Sequence, residues 1–211
     1  MKNLYNLTAI TLPISLIACV PSDDPKPEVS PQDVFFEHIL MLCDKAYAGR
    51  LVSSEEVDAD FVDKAMVMHV SKCEQNKVEI PFHVAGEDEE WNRSRTWFLT
   101  RTTDGIRLKH RHRHEDGSLD AVTNYGGDTA SEGTAERQEF PVDAESIASF
   151  KTNGLAASVN NVWAVEISQP GQSNAKFAYE LRRPEGPDER YFRVEFDLSQ
   201  PVDTPAPPWG D

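Results

Sequence analysis

The chain is short of basic residues, because 21 Lys and Arg stand against 36 Asp and Glu in 211 residues, a formal net charge of −15. A protein that binds nucleic acid needs a basic field to displace counterions from phosphates, so the charge argues against such a partner. Hydrophobic residues are also few, at 39%. That fraction is low for a globular protein but too high for a disordered chain.

The sequence also lacks the common catalytic signatures. It contains no phosphate-binding loop, no dinucleotide fingerprint and no H-E-x-x-H pair. The stretch Gly171 to Ala175 has a loose likeness to a nucleophile elbow, but it falls in a predicted hairpin turn. No nucleophile, base and orienting group can be assembled from spacing. We therefore predict no catalytic residues and favour a protein that is not an enzyme.

Long apolar runs are missing except near the start of the chain. Residues 4–18 are mostly apolar and uncharged, and Lys2 precedes them. This run is too short for a comfortable membrane span but is typical of a secretory signal peptide over residues 1–18. It ends Leu16-Ile17-Ala18-Cys19, which resembles the lipobox of bacterial lipoproteins. An ordinary cleaved signal followed by a chance cysteine is the alternative.

The lipobox resemblance implies that Cys19 is lipidated and becomes the new N-terminus, with the lipid bilayer as its partner. Several acyl chains on that cysteine, palmitate among them, would anchor the protein stably. The next residue is Val20 and not the aspartate that signals inner-membrane retention, so the resemblance implies the outer membrane, facing the periplasm. Residues 19–31 are rich in proline and polar residues and are interpreted as an extended tether.

Apart from Cys19, the chain has only Cys43 and Cys73. An even pair in an oxidising compartment favours a disulfide, which in the chain-entropy model would contribute roughly 3 to 4 kcal/mol. Two buried free thiols are the alternative.

The remaining sequence predicts a short helix followed by about nine or ten short strands. Ser30, Pro31 and Asp33 are typical of a helix start. Asp143 to Phe150 are predicted to form one or two helical turns that Asp143 caps and that end near Asn153-Gly154. Period-two alternation and hairpin signals then predict an all-β, mainly antiparallel, lipocalin-like barrel, with a β-sandwich as the alternative. We assign residues 32–200 to this single domain and 201–211 to a proline-rich tail. Residues 119–125 are interpreted as a strand, and Gly126-Gly127 as the turn after it.

The run from Ile106 to His114 reads I-R-L-K-H-R-H-R-H. Because strand side chains alternate between faces, one face carries a set beginning with apolar residues and the other a basic set. The first set is predicted to point inward and to line a ligand site: Ile106, Leu108, His110, His112 and His114. The outward set forms a basic stripe: Arg107, Lys109, Arg111 and Arg113.

His-x-His spacing on one strand face also suits a metal such as Zn, Cu or Ni. The candidate ligands are His110, His112 and His114, but one straight strand cannot bring all three to one ion. A site would need two of them and a further ligand from elsewhere. His69 is a candidate for this further ligand, whereas His83 is predicted to point outward. Histidines hydrogen-bonded in a polar interior, or a pH-sensitive mouth, are the other interpretations.

Four functions therefore compete. The first is a membrane-anchored, non-enzymatic module that binds a small amphipathic ligand or acts as its chaperone. The second is a metal-binding envelope protein, and the third a hydrolase with a histidine-bound metal and Glu115 or Asp116 as base. The fourth is an interaction protein that docks an acidic partner on the basic stripe. The run Leu108 to Gly117, with Tyr125-Gly126-Gly127, resembles uncharacterised secreted bacterial proteins, which implies a compartment but no chemistry.

Overall fold

A computed structural model describes residues 29–86 and 90–211 of the chain. The predicted signal peptide, Cys19 and most of the tether lie outside the described residues. The described part contains two helices, α1 (Pro31–Leu40) and α2 (Ala144–Thr152), and two 3-10 helices, Glu56–Phe61 and Ala156–Asn160. The strands are β1 (Ala46–Leu51), β2 (Met66–His69), β3 (Lys72–Cys73), β4 (Lys77–Ala85), β5 (Trp91–Thr102), β6 (Gly105–His112), β7 (Tyr125–Asp128), β8 (Arg137–Pro141), β9 (Val162–Ile167), β10 (Lys176–Arg183) and β11 (Arg190–Val202).

The strands form one antiparallel sheet in the order β7-β6-β5-β4-β2-β1-β11-β10-β9-β8, and β3 also pairs with β4. The two ends of this order, β7 and β8, meet at a single bridge between Gly127 and Val142. The sheet therefore curls into a nearly closed, lipocalin-like barrel, and the predicted all-β fold is confirmed. Closure satisfies backbone groups that two free edges would leave unpaired.

The closing seam overturns the predicted Gly126-Gly127 turn. Both glycines lie inside β7, where Gly126 pairs with Lys109 and Gly127 with Leu108. A β-carbon on Gly126 would lie 1.9 Å from the carbonyl oxygen of Leu108, and one on Gly127 would lie 1.8 Å from that of Pro141. Glycine is therefore needed for close approach of backbones and not for a turn. The preceding residues, predicted as a strand, are irregular up to Tyr125.

Helix α1 begins as its sequence predicts. The Ser30 hydroxyl accepts a hydrogen bond from the backbone N–H of Asp33 at 3.1 Å, and Pro31 occupies the first turn. Asp33 then pairs with Arg101 at the end of β5, and the Gln32 side-chain amide donates to the Thr129 hydroxyl at 3.0 Å. These contacts seat the helix on one end of the barrel. Its apolar face completes the core there with Phe35, Phe36 and Ile39.

The predicted disulfide joins Cys43, just after α1, to Cys73 in β3 across 30 residues. It ties the segment that follows the helix to the edge of β4. On the chain-entropy estimate it stabilises the fold by about 3 to 4 kcal/mol, mainly by restricting the unfolded chain.

Helix α2 also follows its sequence signal. Asp143 caps it by accepting a hydrogen bond from the N–H of Ser146 at 2.8 Å, and Asn153 ends it. The Ser146 hydroxyl in turn donates to the Gly126 carbonyl oxygen at 3.1 Å. The helix thus braces the seam between β7 and β8. In the described ranges no helix is both long and apolar enough to cross a membrane.

Candidate functional site

The side chains of β6 alternate between the barrel interior and its outer surface. Ile106 and Leu108 are almost fully buried and belong to the hydrophobic core. His110 and His112 follow on the same face, toward the barrel end opposite α1. The interior therefore changes from apolar to imidazole-lined along one strand. Ile106 and Leu108, which are predicted to line the ligand site, instead belong to the hydrophobic core and do not line the histidine-end cavity described below.

His110 is 3% exposed and is held at both ring nitrogens. Its Nδ1–H donates to the Tyr125 carbonyl oxygen at 3.1 Å, and its Nε2 accepts from the Tyr179 hydroxyl at 2.8 Å. The ring also lies 5.1 Å from that of Trp163. Burial lowers the pKa of His110 to about 3, so the neutral ring persists at any physiological pH. This hydrogen-bond pattern fixes its tautomer.

His112 is half-buried at the end of β6. Its Nε2 lies 2.9 Å from the Tyr125 hydroxyl, and its backbone N–H donates to the Thr123 hydroxyl at 2.9 Å. Burial and then the charge of Arg95 lower the pKa of His112 to about 4. The ring is therefore neutral near pH 7.

The structure places His114 away from this pair, which corrects its assignment to the interior face. Strand β6 ends at His112, and the chain turns back through Gly117, whose φ is +83°. His114 is exposed in that turn, and its N–H donates to the Ser118 carbonyl oxygen at 2.9 Å. The alternation predicted to continue to His114 stops because the strand stops.

Among the described residues, no third ligand joins His110 and His112. Within the two described ranges, no group of three His, Cys, Asp or Glu side chains is close enough to hold a metal ion. His69 follows Val67 on the face of β2 opposite the core methionines, on the same outer side as His83. The metal and hydrolase hypotheses therefore gain no support from the geometry.

Glu115 and Asp116, the carboxylates considered for a base, lie in the turn after β6. Asp116 accepts hydrogen bonds from the N–H and hydroxyl of Ser118, at 2.9 and 2.6 Å. Glu115 lies in an outer groove beside Trp91 and Trp209. Neither side chain lines the interior cavity described next.

A cavity of about 170 Å3 lies inside the barrel at the histidine end. Trp97 forms its aromatic wall, stacked 4.5 Å from Tyr179 and 4.8 Å from Phe82, measured between ring centroids. We call it the interior cavity; its lining residues are Asp58, Phe61, Phe82, Arg95, Trp97, His110, His112, Tyr125, Tyr179, Leu181, Arg190 and Phe192. Larger depressions, up to about 820 Å3, are lined by other residues and contain neither His110 nor His112.

Arg95 is a charged residue of the interior cavity that the sequence analysis did not predict. It pairs with His112 across β5 and β6, and shares its strand face with Trp97 and Leu99. Splitting β5 by parity, as was done for β6, would have placed Arg95 inside. Burial lowers its pKa, but a guanidinium stays charged under all ordinary conditions. An inward arginine is unusual enough to be a functional signal.

The other arginine of the cavity is fully paired. Arg190 donates through Nη1 to Asp58 Oδ2 at 2.9 Å and also pairs with Glu55. Asp58 lies in the 3-10 helix that covers this end of the barrel and is 1% exposed. Two carboxylates thus offset the Arg190 guanidinium, and its charge is not free to bind a ligand.

The outward basic stripe of β6 is largely neutralised. Arg107 forms two hydrogen bonds with Asp128, at 2.6 and 2.9 Å, and Lys109 pairs with Asp143 at 2.8 Å and Glu145 at 3.0 Å. The Arg111 guanidinium lies 4.3 Å from the Phe98 ring centroid. These contacts leave little free positive charge for the acidic partner that the sequence suggested.

A second charged array covers the outside of β8 to β11. Glu180, whose side chain is 2% exposed, accepts from Arg137 at 2.8 Å and Arg193 at 2.9 Å. Burial by itself would raise the pKa of Glu180, but hydrogen bonds from Arg137, Arg193 and Arg182 outweigh it and lower that pKa to about 2. Because every charge here has partners, this array holds strands together and offers no open site.

The proline-rich C-terminal segment packs on the outside of the barrel. His83 is fully buried beneath it, and its Nε2–H donates to the Ala206 carbonyl oxygen at 3.1 Å. The Arg93 guanidinium donates to the Pro207 carbonyl oxygen at 2.6 Å, and the backbone N–H of Trp209 donates to the Arg93 carbonyl oxygen at 3.2 Å. His83 thus points outward, as its alternation predicted, yet is shielded from solvent.

Comparison with known proteins adds no family to this geometry. No family model matches the chain, and no curated protein matches it. The functional argument therefore depends on the site itself.

Proposed function

We propose that this protein is a lipid-anchored cell-envelope protein, in the outer membrane and facing the periplasm, whose barrel binds a small molecule without chemically changing it. The observation that carries the binding function is the interior cavity, which combines stacked aromatic rings with the polar groups of His112, Tyr125 and Arg95. Apolar walls with a few convergent polar groups are the common features of small-ligand sites.

The size of the cavity sets the scale of the ligand. Its volume of about 170 Å3 compares with the cavity of about 150 Å3 that binds benzene in another protein. One aromatic ring with a small polar substituent therefore fits without rearrangement. An acyl chain or a multi-ring compound would require the barrel end to open.

Binding can be tested with two probes of this size, benzoate and benzamide. We expect at least one to bind with a dissociation constant at or below about 1 mM and to shift the NMR resonance of the Trp97 indole. Leu181→Trp, at the half-buried wall of the cavity, should weaken binding at least tenfold because the larger ring occupies the space.

Leu155→Trp serves as the matched control, because Leu155 is exposed and outside the cavity. This variant should bind the probes like the wild type. Absence of binding by both probes to the wild-type protein, or equal binding to Leu181→Trp, would remove the proposed function.

The anchor has its own test. Cys19→Ser is expected to abolish incorporation of labelled palmitate and to release the chain from the membrane fraction, since the lipidated thiol is lost. Val20→Asp keeps the cysteine and should keep the label, while moving the protein from outer-membrane to inner-membrane fractions. Labelled palmitate in the Cys19→Ser chain would contradict the lipoprotein assignment.

A further inference from the structure

Arg95 brings a positive charge into the barrel without a carboxylate beside it. Its Nη1 donates to the Asn92 side-chain oxygen at 3.2 Å, and its guanidinium carbon lies 5.5 Å from the Phe61 ring centroid. In residues 29–86 and 90–211 no Asp or Glu oxygen lies within 4.0 Å of its nitrogens. The Asn92 amide and the Phe61 ring are both neutral, so the charge of Arg95 is poorly compensated.

The nearby carboxylates are already engaged elsewhere. Asp58, in the cavity wall, is held by both terminal nitrogens of Arg190. Asp120 lies close enough to His112 to influence its pKa, but its Oδ1 accepts the N–H of Val122 at 2.8 Å. Among the lining residues, Asp58 and Arg190 offset each other and both histidines are neutral at pH 7, so Arg95 carries the lining charge that no carboxylate offsets.

Arg95 is half-buried, and a charge held partly out of water without a counter-ion is costly, so proteins normally pair it. A guanidinium matches a carboxylate with two parallel hydrogen bonds, and one positive charge calls for a monoanion. The Tyr125 hydroxyl lies in the same wall and can donate a hydrogen bond to a ligand when it accepts one from His112 Nε2–H. The rings of Phe61, Phe82, Trp97 and Phe192 supply the apolar part of the same lining.

We propose that the ligand of the interior cavity is a small aromatic carboxylate, with its carboxylate on Arg95 and its ring against Trp97. This inference rests on the proposed binding function and specifies its ligand class. Arg95 is then the residue that determines specificity, because a neutral ligand of the same shape would leave the guanidinium uncompensated.

The comparison of benzoate with benzamide tests the charge, since the two have nearly the same shape. In titrations at pH 7.5 we expect wild-type protein to bind benzoate at least tenfold more tightly than benzamide. Arg95→Met should remove this preference, bringing the ratio of the two dissociation constants close to one. Arg95→Lys should keep part of the preference, because lysine retains the charge but cannot make the two parallel hydrogen bonds of a guanidinium.

Arg111→Met is the matched control. It removes the same charge from the neighbouring strand, at the position paired with Thr96, but on the outer face. Its benzoate preference should equal that of the wild type. A loss of preference as large as that of Arg95→Met would assign the effect to net charge and overturn the proposal.

The possible outcomes distinguish the carboxylate proposal from the proposed binding function. If both probes bind equally well to wild-type protein, the binding function stands and the carboxylate proposal fails. If neither probe binds, both fail. The wild-type ratio decides the question even if Arg95→Met does not fold, which near-UV circular dichroism would reveal.

Discussion

Replacing Gly127 with alanine is expected to lower the free energy of unfolding by more than about 4 kcal/mol, because the new methyl group collides with a backbone carbonyl. The β-carbon would lie 1.8 Å from the Pro141 oxygen, and that oxygen belongs to the strand that closes the barrel. A flexible side chain could move aside, but β8 can yield only by opening the seam. Urea unfolding followed by tryptophan fluorescence measures the loss.

Gly154→Ala provides the control for the Gly127 variant. Gly154 has a φ of +75°, but a β-carbon there would meet no atom within 4 Å. Its cost should be only about 1 kcal/mol, from backbone strain. In a domain of this size the Gly127 variant should also lose roughly 10 °C or more in thermal midpoint. A loss within about 1 kcal/mol of wild type would mean that the seam is not rigid.

Acid is expected to destabilise the protein well before its carboxylates titrate. Burial lowers the pKa values of His83 and His112 to about 4 and that of His110 to about 3, whereas an unfolded histidine titrates near 6.5. Below pH 6.5 the histidines of the unfolded chain therefore bind protons, whereas the same histidines in the folded chain stay neutral. Each histidine then contributes a slope of about 1.4 kcal/mol per pH unit, and stability falls as the pH falls.

Three such histidines should together reduce the free energy of unfolding by about 4 to 6 kcal/mol between pH 7 and pH 5. Burial also lowers the pKa of His69, which adds in the same direction. The lowered pKa of Glu180, about 2, costs stability only below about pH 4.5, so the two effects occupy different pH ranges. Urea unfolding at half-unit pH intervals should show the early loss.

His83→Gln isolates one of these contributions. A glutamine amide can still donate to the Ala206 carbonyl oxygen, which His83 contacts at 3.1 Å, but it has no titrating proton. The slope between pH 6.5 and pH 4.5 should therefore decrease by about one third. A stability profile that is flat from pH 7 to pH 5 would show that the buried histidines do not couple to folding.

Local features of the structure were largely predictable from the sequence. Ser30 and Asp143 cap their helices as predicted, because a cap depends on residues within one turn. The inward parity of His110 follows from strand alternation alone. The disulfide between Cys43 and Cys73 followed from counting, since the lipobox resemblance assigned Cys19 to lipid and left one pair.

The candidate site was only partly predictable. The parity of β6 located two of the cavity residues, His110 and His112, but extended the interior face too far, to His114. Arg95 escaped notice although its own strand showed the same alternation. The aromatic wall was beyond local reasoning, because Trp97 and Tyr179 come from strands that are distant in sequence and meet only across the barrel.

The sequence by itself determined the shortage of basic charge, the alternation of the strands and the lipobox-like start, because these depend on composition and short-range spacing. The tertiary structure decided which charges are free. It paired the basic stripe of β6 with Asp128, Asp143 and Glu145, and left Arg95 alone among aromatic rings. Charge compensation depends on distance in space, and closure of the barrel sets those distances. Within the described residues, this acidic protein thus places a positive charge without a carboxylate partner in the interior cavity.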